Sequence, residues 1–353
     1  MESTGKYWVP VFNKLEPTCN VCLTHPKYVK AIKGKKTDKR DAKWISELFK
    51  CDLVRSSFVP PADIRQLRDL CRYYVKLTYM CSSEKNRAQN CLTMCNFKLD
   101  DVFSDVFGKS ASRIIEQLIE HGNSDFDFAP FVDGRCKAMP EEIRAALDGE
   151  LAPAQADKLK LVRLHMEYLT CLKDSLEQVI LQLAAKYQPQ IDLIMTVPGI
   201  KEPLTAIRIL AEIGADMSVF ETSKQLCSWA GLTPQNHESA GKKKTTRIAR
   251  AGQYLKPLLV QIILSAVKSD KHPELKNKYQ ALKKRRGGKK AVVAVARKVL
   301  TAIWNMMSKN EPYNAELYRK ADKPPVNREL TTEQAFALLR SRGYIIKEKD
   351  FTS

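Results

Sequence analysis

The chain has 353 residues, with 59 Lys and Arg against 40 Asp and Glu, a net charge of +19 and a pI near 9.4. Hydrophobic residues make up 44% of it, enough to bury the cores of two or three domains and to exclude wholesale disorder. The longest uncharged apolar stretches, such as residues 257–267, are too short to span a bilayer and no signal-peptide core opens the chain, so a soluble cytoplasmic, nucleoid-associated protein without a membrane partner is expected.

In chain order, residues 5–16 read as a short helix, residues 18–24 (TCNVCLT) as a β-strand closed by His25 and Pro26, and residues 37–50 as a second helix. This alternation makes residues 1–60 a partial α/β domain. The ten cysteines follow no disulfide framework, and Cys19-x-x-Cys22 lacks a second half at zinc-site spacing, so buried reduced thiols are expected.

After Pro60 and Pro61, apolar residues at Ile64, Leu67, Cys71, Tyr74, Leu77 and Cys81 recur every three or four positions, which predicts a long amphipathic helix over 62–92. Residues 121–155 carry Gly122, Asn123, Gly134, Pro140, Gly149 and Pro153 around one short helix and read as a loop linker within a 61–190 region of long helices. From Leu159 a coiled-coil seam follows at Val162, Met166, Leu169, Leu176, Ile180 and Leu183, interrupted by Lys173. Either a second copy of the chain or the 62–92 helix of the same chain fills it. A homo-oligomer is the preferred reading.

Residues 193–214 (LIMTVPGIKEPLTAIRILAEIG) place a Pro198-Gly199 turn before an apolar helix and resemble a helix-hairpin-helix, in which backbone N–H groups at the glycine turn approach a DNA phosphate. Lys201 stands where a second glycine is usual, and a structural helical hairpin is the alternative. Residues 321–353 read as a linker, a helix near 332–342 and a charged tail, giving a mainly α chain overall.

The charge has an address. Residues 242–309 hold 19 Lys and Arg against Asp270 and Glu274, a net +17, so the rest of the chain is close to neutral. The cations cluster at Lys242, Lys243, Lys244, Arg247 and Arg250, then at Lys283, Lys284, Arg285 and Arg286, with Lys289 and Lys290 beyond. A concentration on this scale suits a polyanion, because neutralising phosphates releases counterions; nucleic acid is the expected partner and an acidic membrane surface the weaker option.

Three features could carry chemistry. Asp38 and Asp41, three residues apart at a helix start, share one face, where they could converge on a divalent ion or serve as helix-terminus acids. Glu2, in MESTG, places a carboxylate just before a turn into a helix. Ser239, in Asn236-His237-Glu238-Ser239-Ala240-Gly241-Lys242, opens the basic segment as either a nucleophile toward phosphate or a plain phosphate contact or cap.

Taken in order, MESTGKYW, KTDKRDAKWISEL, FVPPADIRQLRDL, TVPGIKEPLTAIRILAEIG, LCSWAGLTPQNHESAGK and KKAVVAVARKVL resemble the bridge-RNA-guided transposases of insertion sequences over residues 1 to about 320. The resemblance implies a RuvC-like (RNase H-like) DEDD domain joined through a coiled coil to a serine-carrying domain at 191–320. It implies a DNA recombinase in which Glu2, Asp38 and Asp41 match the second, third and fourth acids of a Mg²⁺-binding tetrad and Ser239 matches the nucleophile. Its implied partners are donor and target DNA, a structured noncoding guide RNA and further copies of itself. The first acid of the tetrad and its strand have no counterpart ahead of MESTG, so an N-terminally shortened transposase is expected, with strand 18–24 lacking sheet neighbours. The alternatives are a catalytically silent remnant that only binds nucleic acid, and a helix-hairpin-helix repair or junction nuclease.

Overall fold

A computed structural model describes residues 1–29, 37–234, 237–239, 242–245, 247–249, 251–318 and 332–344. The described chain is predominantly helical and forms two compact units, Met1–Tyr313 and Asn314–Ser353.

The N-terminal part carries α1 (Trp8–Leu15), α2 (Pro26–Val29) and α3 (Asp38–Lys50). The expected strand over 18–24 is not a ladder. Only Thr24 pairs, parallel with Glu2 and antiparallel with Ser56, because each flanking segment offers a single paired residue. Thr24 therefore has neighbours on both sides, contrary to the expectation that the strand lacks them; its N–H donates to the Met1 carbonyl at 2.8 Å, its hydroxyl to the Arg55 carbonyl at 2.9 Å, and it is fully buried. Around it α1 and α2 each bury one side chain, Phe12 and Val29, while α3 buries none, and Tyr7, Phe49 and Leu53 are exposed.

Two long helices follow, α4 (Ala62–Met94) and α8 (Pro153–Ala184), and they pack on each other along their length. Leu159, Val162, Leu169 and Ile180 of α8 are buried, as are Ile64, Leu67, Cys71, Leu77 and Leu92 of α4, each large side chain contributing about 1.5–3 kcal/mol. Within one chain α4 thus covers much of the seam read from the sequence, while Leu183 at its end stays 43% exposed. Lys173, the interruption in the seam, sets its ammonium 5.0 Å from the centre of the Tyr74 ring.

Residues 95–152, between the two long helices, hold α5 (Leu99–Val102), α6 (Lys109–His121) and α7 (Pro140–Ala146). The stretch read as a linker has its one short helix at α7, yet it is packed. Phe128, Ile143, Leu147 and Leu151 are buried in one core with Phe97, Leu99, Ile114 and Leu118. These side chains cap the α4–α8 hairpin.

Beyond α8 come α9 (Gln188–Met195), α10 (Pro203–Ile213), α11 (Ser223–Trp229), a hairpin of β1 (His237–Ser239) and β2 (Lys242–Thr245), then α12 (Leu255–Ala266), α13 (Pro273–Arg286) and α14 (Gly288–Lys309). The α14 helix is long and apolar enough to cross a membrane by composition alone. Here it is a core helix, with Val295, Ala296, Val299, Leu300 and Ile303 buried where it packs on α9, α11, α12 and α13. In the second unit, α15 (Thr332–Ser341) matches the helix expected near 332–342.

A polar clamp joins α4 to α10. Arg72 donates from Nε and Nη2 to the two carboxylate oxygens of Glu212 at 2.7 and 2.9 Å, and Arg68 donates to the carbonyls of Ala211 and Glu212 at 2.8 and 2.9 Å. Desolvation acts to lower the Arg72 pKa, but the bonds to Glu212 outweigh it and hold the guanidinium charged. An aromatic cluster of Phe58, Phe220 and Trp229, with centroids 5.1–5.8 Å apart, extends the junction. Glu212→Gln leaves these guanidiniums without their counter-charge and should cost about 2–3 kcal/mol. That is less than for a fully sequestered pair, because the Arg72 side chain is 38% exposed. Urea unfolding checks this; a change within about 0.5 kcal/mol would refute the role of the clamp.

Candidate functional site

Glu2 lies in the extended segment bridged to Thr24, with Ser3 N–H donating to the Thr24 carbonyl at 2.8 Å, and its Oε1 accepts from the Thr4 hydroxyl at 3.3 Å. Asp38 and Asp41 sit in the first turn of α3, whose N-cap Thr37 accepts from the Arg40 N–H at 3.4 Å. Both carboxylates thus stand at the positive end of a helix dipole, where anions are favoured. Among the described residues, no three His, Cys, Asp or Glu side chains gather closely enough to hold a metal ion. Glu2 therefore does not converge with Asp38 and Asp41, and the three do not form a Mg²⁺ site in this arrangement; residues 30–36 just before α3 lie outside the described chain.

Ser239 ends β1. The strands pair antiparallel with Ser239 opposite Lys242, Glu238 opposite Lys243 and His237 opposite Thr245, with an irregularity between His237 and Glu238. The backbone of Lys242, Lys243 and Lys244 therefore runs directly back along the serine strand. Ala240 and Gly241 at the turn, and Arg250, lie outside the described residues. Arg247 is exposed and precedes Ile248, which bridges Pro234 at the foot of the hairpin.

That foot is tightly built. Gly231 and Gly252 adopt φ of +67° and +66°, and a Cβ on them would lie 2.7 Å from the Ala251 oxygen and 2.2 Å from the Ala230 oxygen. Lys256 Nζ donates to the carbonyls of Ala251 at 2.9 Å and Ala249 at 3.1 Å, and reaches that of Gly231 at 3.5 Å. Burial pushes the Lys256 pKa down. Neither glycine nor Lys256 stood out in the sequence; the signal, visible afterwards, is two glycines on either side of the serine motif.

The second basic cluster is open to solvent. Lys283, Lys284, Arg285 and Arg286 form the last turn of α13 and are all exposed, as are Lys289 and Lys290 in the first turn of α14. Gly287 between the helices has φ +81° with open space around it, so six cations share the tip of one helical hairpin.

Gly199 makes the close packing contact that the structural-hairpin alternative calls for. Its φ is +89°, and a Cβ there would lie 2.7 Å from the Ile262 oxygen and 3.1 Å from Ala266 Cβ, so the glycine lets the turn pack on α12. Lys201 beside it is exposed.

Comparison with known proteins matches two separate segments of the chain. A family model described as "Transposase IS116/IS110/IS902 family" matches residues 191–280, and a second, a DEDD transposase model of the IS110 type, matches residues 1–97. The chain is 31% identical over 136 residues to the transposase for insertion sequence element IS1111A of Coxiella burnetii, covering 38% of the chain and 37% of that protein. It is 27% identical over 184 residues to a putative transposase of Sinorhizobium fredii, covering 51% of the chain and 47% of that protein. A pilin gene-inverting protein of Moraxella bovis is 30% identical over 130 residues, covering 36% of the chain and 39% of that protein. The matches span less than half the length of each of these relatives.

Proposed function

The chain belongs to the IS116/IS110/IS902 family of transposases, and from that premise we propose that it is a DNA recombinase that cuts and rejoins strands through Ser239. In this reading the Ser239 hydroxyl attacks a backbone phosphorus, forming a phosphoserine ester. The proton passes to solvent or a neighbouring base, and the departing DNA oxygen takes up a proton as a free hydroxyl. A hydroxyl from another strand then attacks the ester, restoring the serine and joining the new strand. The observation that carries this is the register of the hairpin, which pairs the backbone of Ser239 with that of Lys242, so the cationic segment starts in register with the proposed nucleophile. The name of the Moraxella relative, a pilin gene-inverting protein, speaks of the same class of rearrangement.

A structured RNA that selects donor and target DNA is part of the proposal, because a cationic surface holds either polyanion, and so is assembly of several copies. Glu2, Asp38 and Asp41 carry no step in it, since they do not converge. That same separation favours a second reading, in which the chain binds nucleic acid without cutting it.

Both readings require the α13–α14 tip to hold phosphates. With Lys283, Lys284, Arg285 and Arg286 all changed to Ala, the slope of log affinity against log salt for duplex DNA should flatten by about three to four, at roughly 0.9 for each phosphate no longer neutralised. Filter binding or fluorescence anisotropy from about 50 to 300 mM salt reads it, in parallel with a structured RNA. An unchanged slope on both ligands would remove the tip from the interface.

A further inference from the structure

Three arginines meet one carboxylate where α4, α10 and α12 join. Arg72 occupies both oxygens of Glu212, and Arg68 commits Nε and Nη2 to backbone carbonyls while facing the Phe58 ring at 5.5 Å. Arg208, on α10, is partly buried and makes no hydrogen bond or ion pair with any described residue. Burial lowers its pKa, and the carboxylate that acts on it is Glu212, already bound to Arg72. A partly desolvated guanidinium sharing a cleft with Arg72, with its local counter-charge already taken, is unfavourable unless something else supplies negative charge.

The surroundings say what would fit. Arg208, Arg72, Cys71, Val75, Glu212 and Tyr254 line a small cleft with room for about one water, roughly 10 Å³. A whole phosphate is too large to enter, but one oxygen of a phosphate lying at the mouth is not. Guanidinium forks match phosphate oxygens in geometry as well as charge. The Tyr254 ring, with Arg72 4.8 Å from its centre, immediately precedes α12 and follows Gly252, so the cleft adjoins the foot of the serine hairpin.

We propose that Arg208, with Arg72 beside it, forms a single-phosphate subsite that holds one backbone phosphate of the bound nucleic acid near the foot of the hairpin, separate from the α13–α14 tip. The assignment of the phosphate to nucleic acid rests on the reading above; the subsite itself does not.

Arg208→Met and Arg208→Lys in the full chain test it. Arg208→Met should weaken duplex DNA or structured RNA binding about 3–10-fold near 0.1 M salt and flatten the salt slope by about one, while Arg208→Lys retains most of the slope. Without ligand, Arg208→Met should melt above the wild type, because an uncompensated charge is gone. Pyrophosphate at matched ionic strength should raise the melting temperature of the wild type but not of Arg208→Met. If the wild type binds nucleic acid and Arg208→Met binds it with the same affinity and slope, or if Arg208→Met melts lower and pyrophosphate stabilises both alike, the subsite is overturned. If the wild type binds no nucleic acid yet pyrophosphate stabilises it through Arg208, the subsite stands for a free phosphate ligand and the nucleic-acid reading falls.

Discussion

Replacing Gly252 with alanine should destabilise the chain by about 3 kcal/mol, which sums the strain of a side chain at positive φ and a forced backbone shift. The φ of +66° is the first cost. The second is larger, since the new Cβ would lie 2.2 Å from the Ala230 oxygen and 2.9 Å from its carbonyl carbon, and backbone gives way less readily than a flexible side chain. Gly252 itself lies just beyond the segment whose carbonyls at Ala249 and Ala251 Lys256 holds, so the damage should spread into the foot of the serine hairpin. Gly122→Ala is the control. It is left-handed at φ +77°, but the nearest atom to a Cβ there is the Leu151 oxygen at an ordinary 3.6 Å, so it should cost only about 1 kcal/mol. Urea midpoints of the two variants separate strain from steric overlap; equal losses would show that the close approach at Ala230 does not matter.

How much of this was written in the sequence differs by feature. The helices over 8–15, 38–50, 62–94 and 153–184 follow from apolar spacing and from Pro60 and Pro61, which stop the preceding segment. The seam on α8 was legible as a face, but not its partner, because a heptad records which residues seek cover and not what covers them. Strand 18–24 failed for a related reason. A short apolar stretch shows β tendency, while ladder length depends on neighbours distant in sequence, here Glu2 and Ser56. In residues 121–155 the Gly and Pro residues dominated the reading and hid Phe128, Ile143, Leu147 and Leu151, which have no period but are all buried.

At the site, the basic cluster 283–286 is readable as a run of cations, whereas its place at a hairpin tip depends on the turn at Gly287, which the charge pattern does not show. The acid clamp was not read. Arg68 and Arg72 looked like ordinary charges between apolar positions, and the anomaly was Glu212, an acid within the apolar run of α10, where a buried carboxylate needs a cation. The convergence of Glu2 with Asp38 and Asp41 was inferred from resemblance, and the fold keeps them apart.

The largest effect expected of any single change belongs to Ser239. A hydroxyl that forms the ester with DNA cannot be replaced by a methyl group, so Ser239→Ala should reduce covalent attachment to background while leaving noncovalent binding intact, because the cations of the α13–α14 tip are untouched. The β-strand context tolerates alanine at a hairpin end, so the fold should survive, and an unchanged urea midpoint verifies this. The deciding measurement is recovery of protein-linked DNA after detergent denaturation, from cells carrying the coding sequence with its own flanking DNA, for wild type and Ser239→Ala side by side. Protein-linked DNA from the wild type, absent with Ser239→Ala, is the predicted result; linkage that persists in Ser239→Ala, or none from the wild type, would contradict strand transfer through this serine.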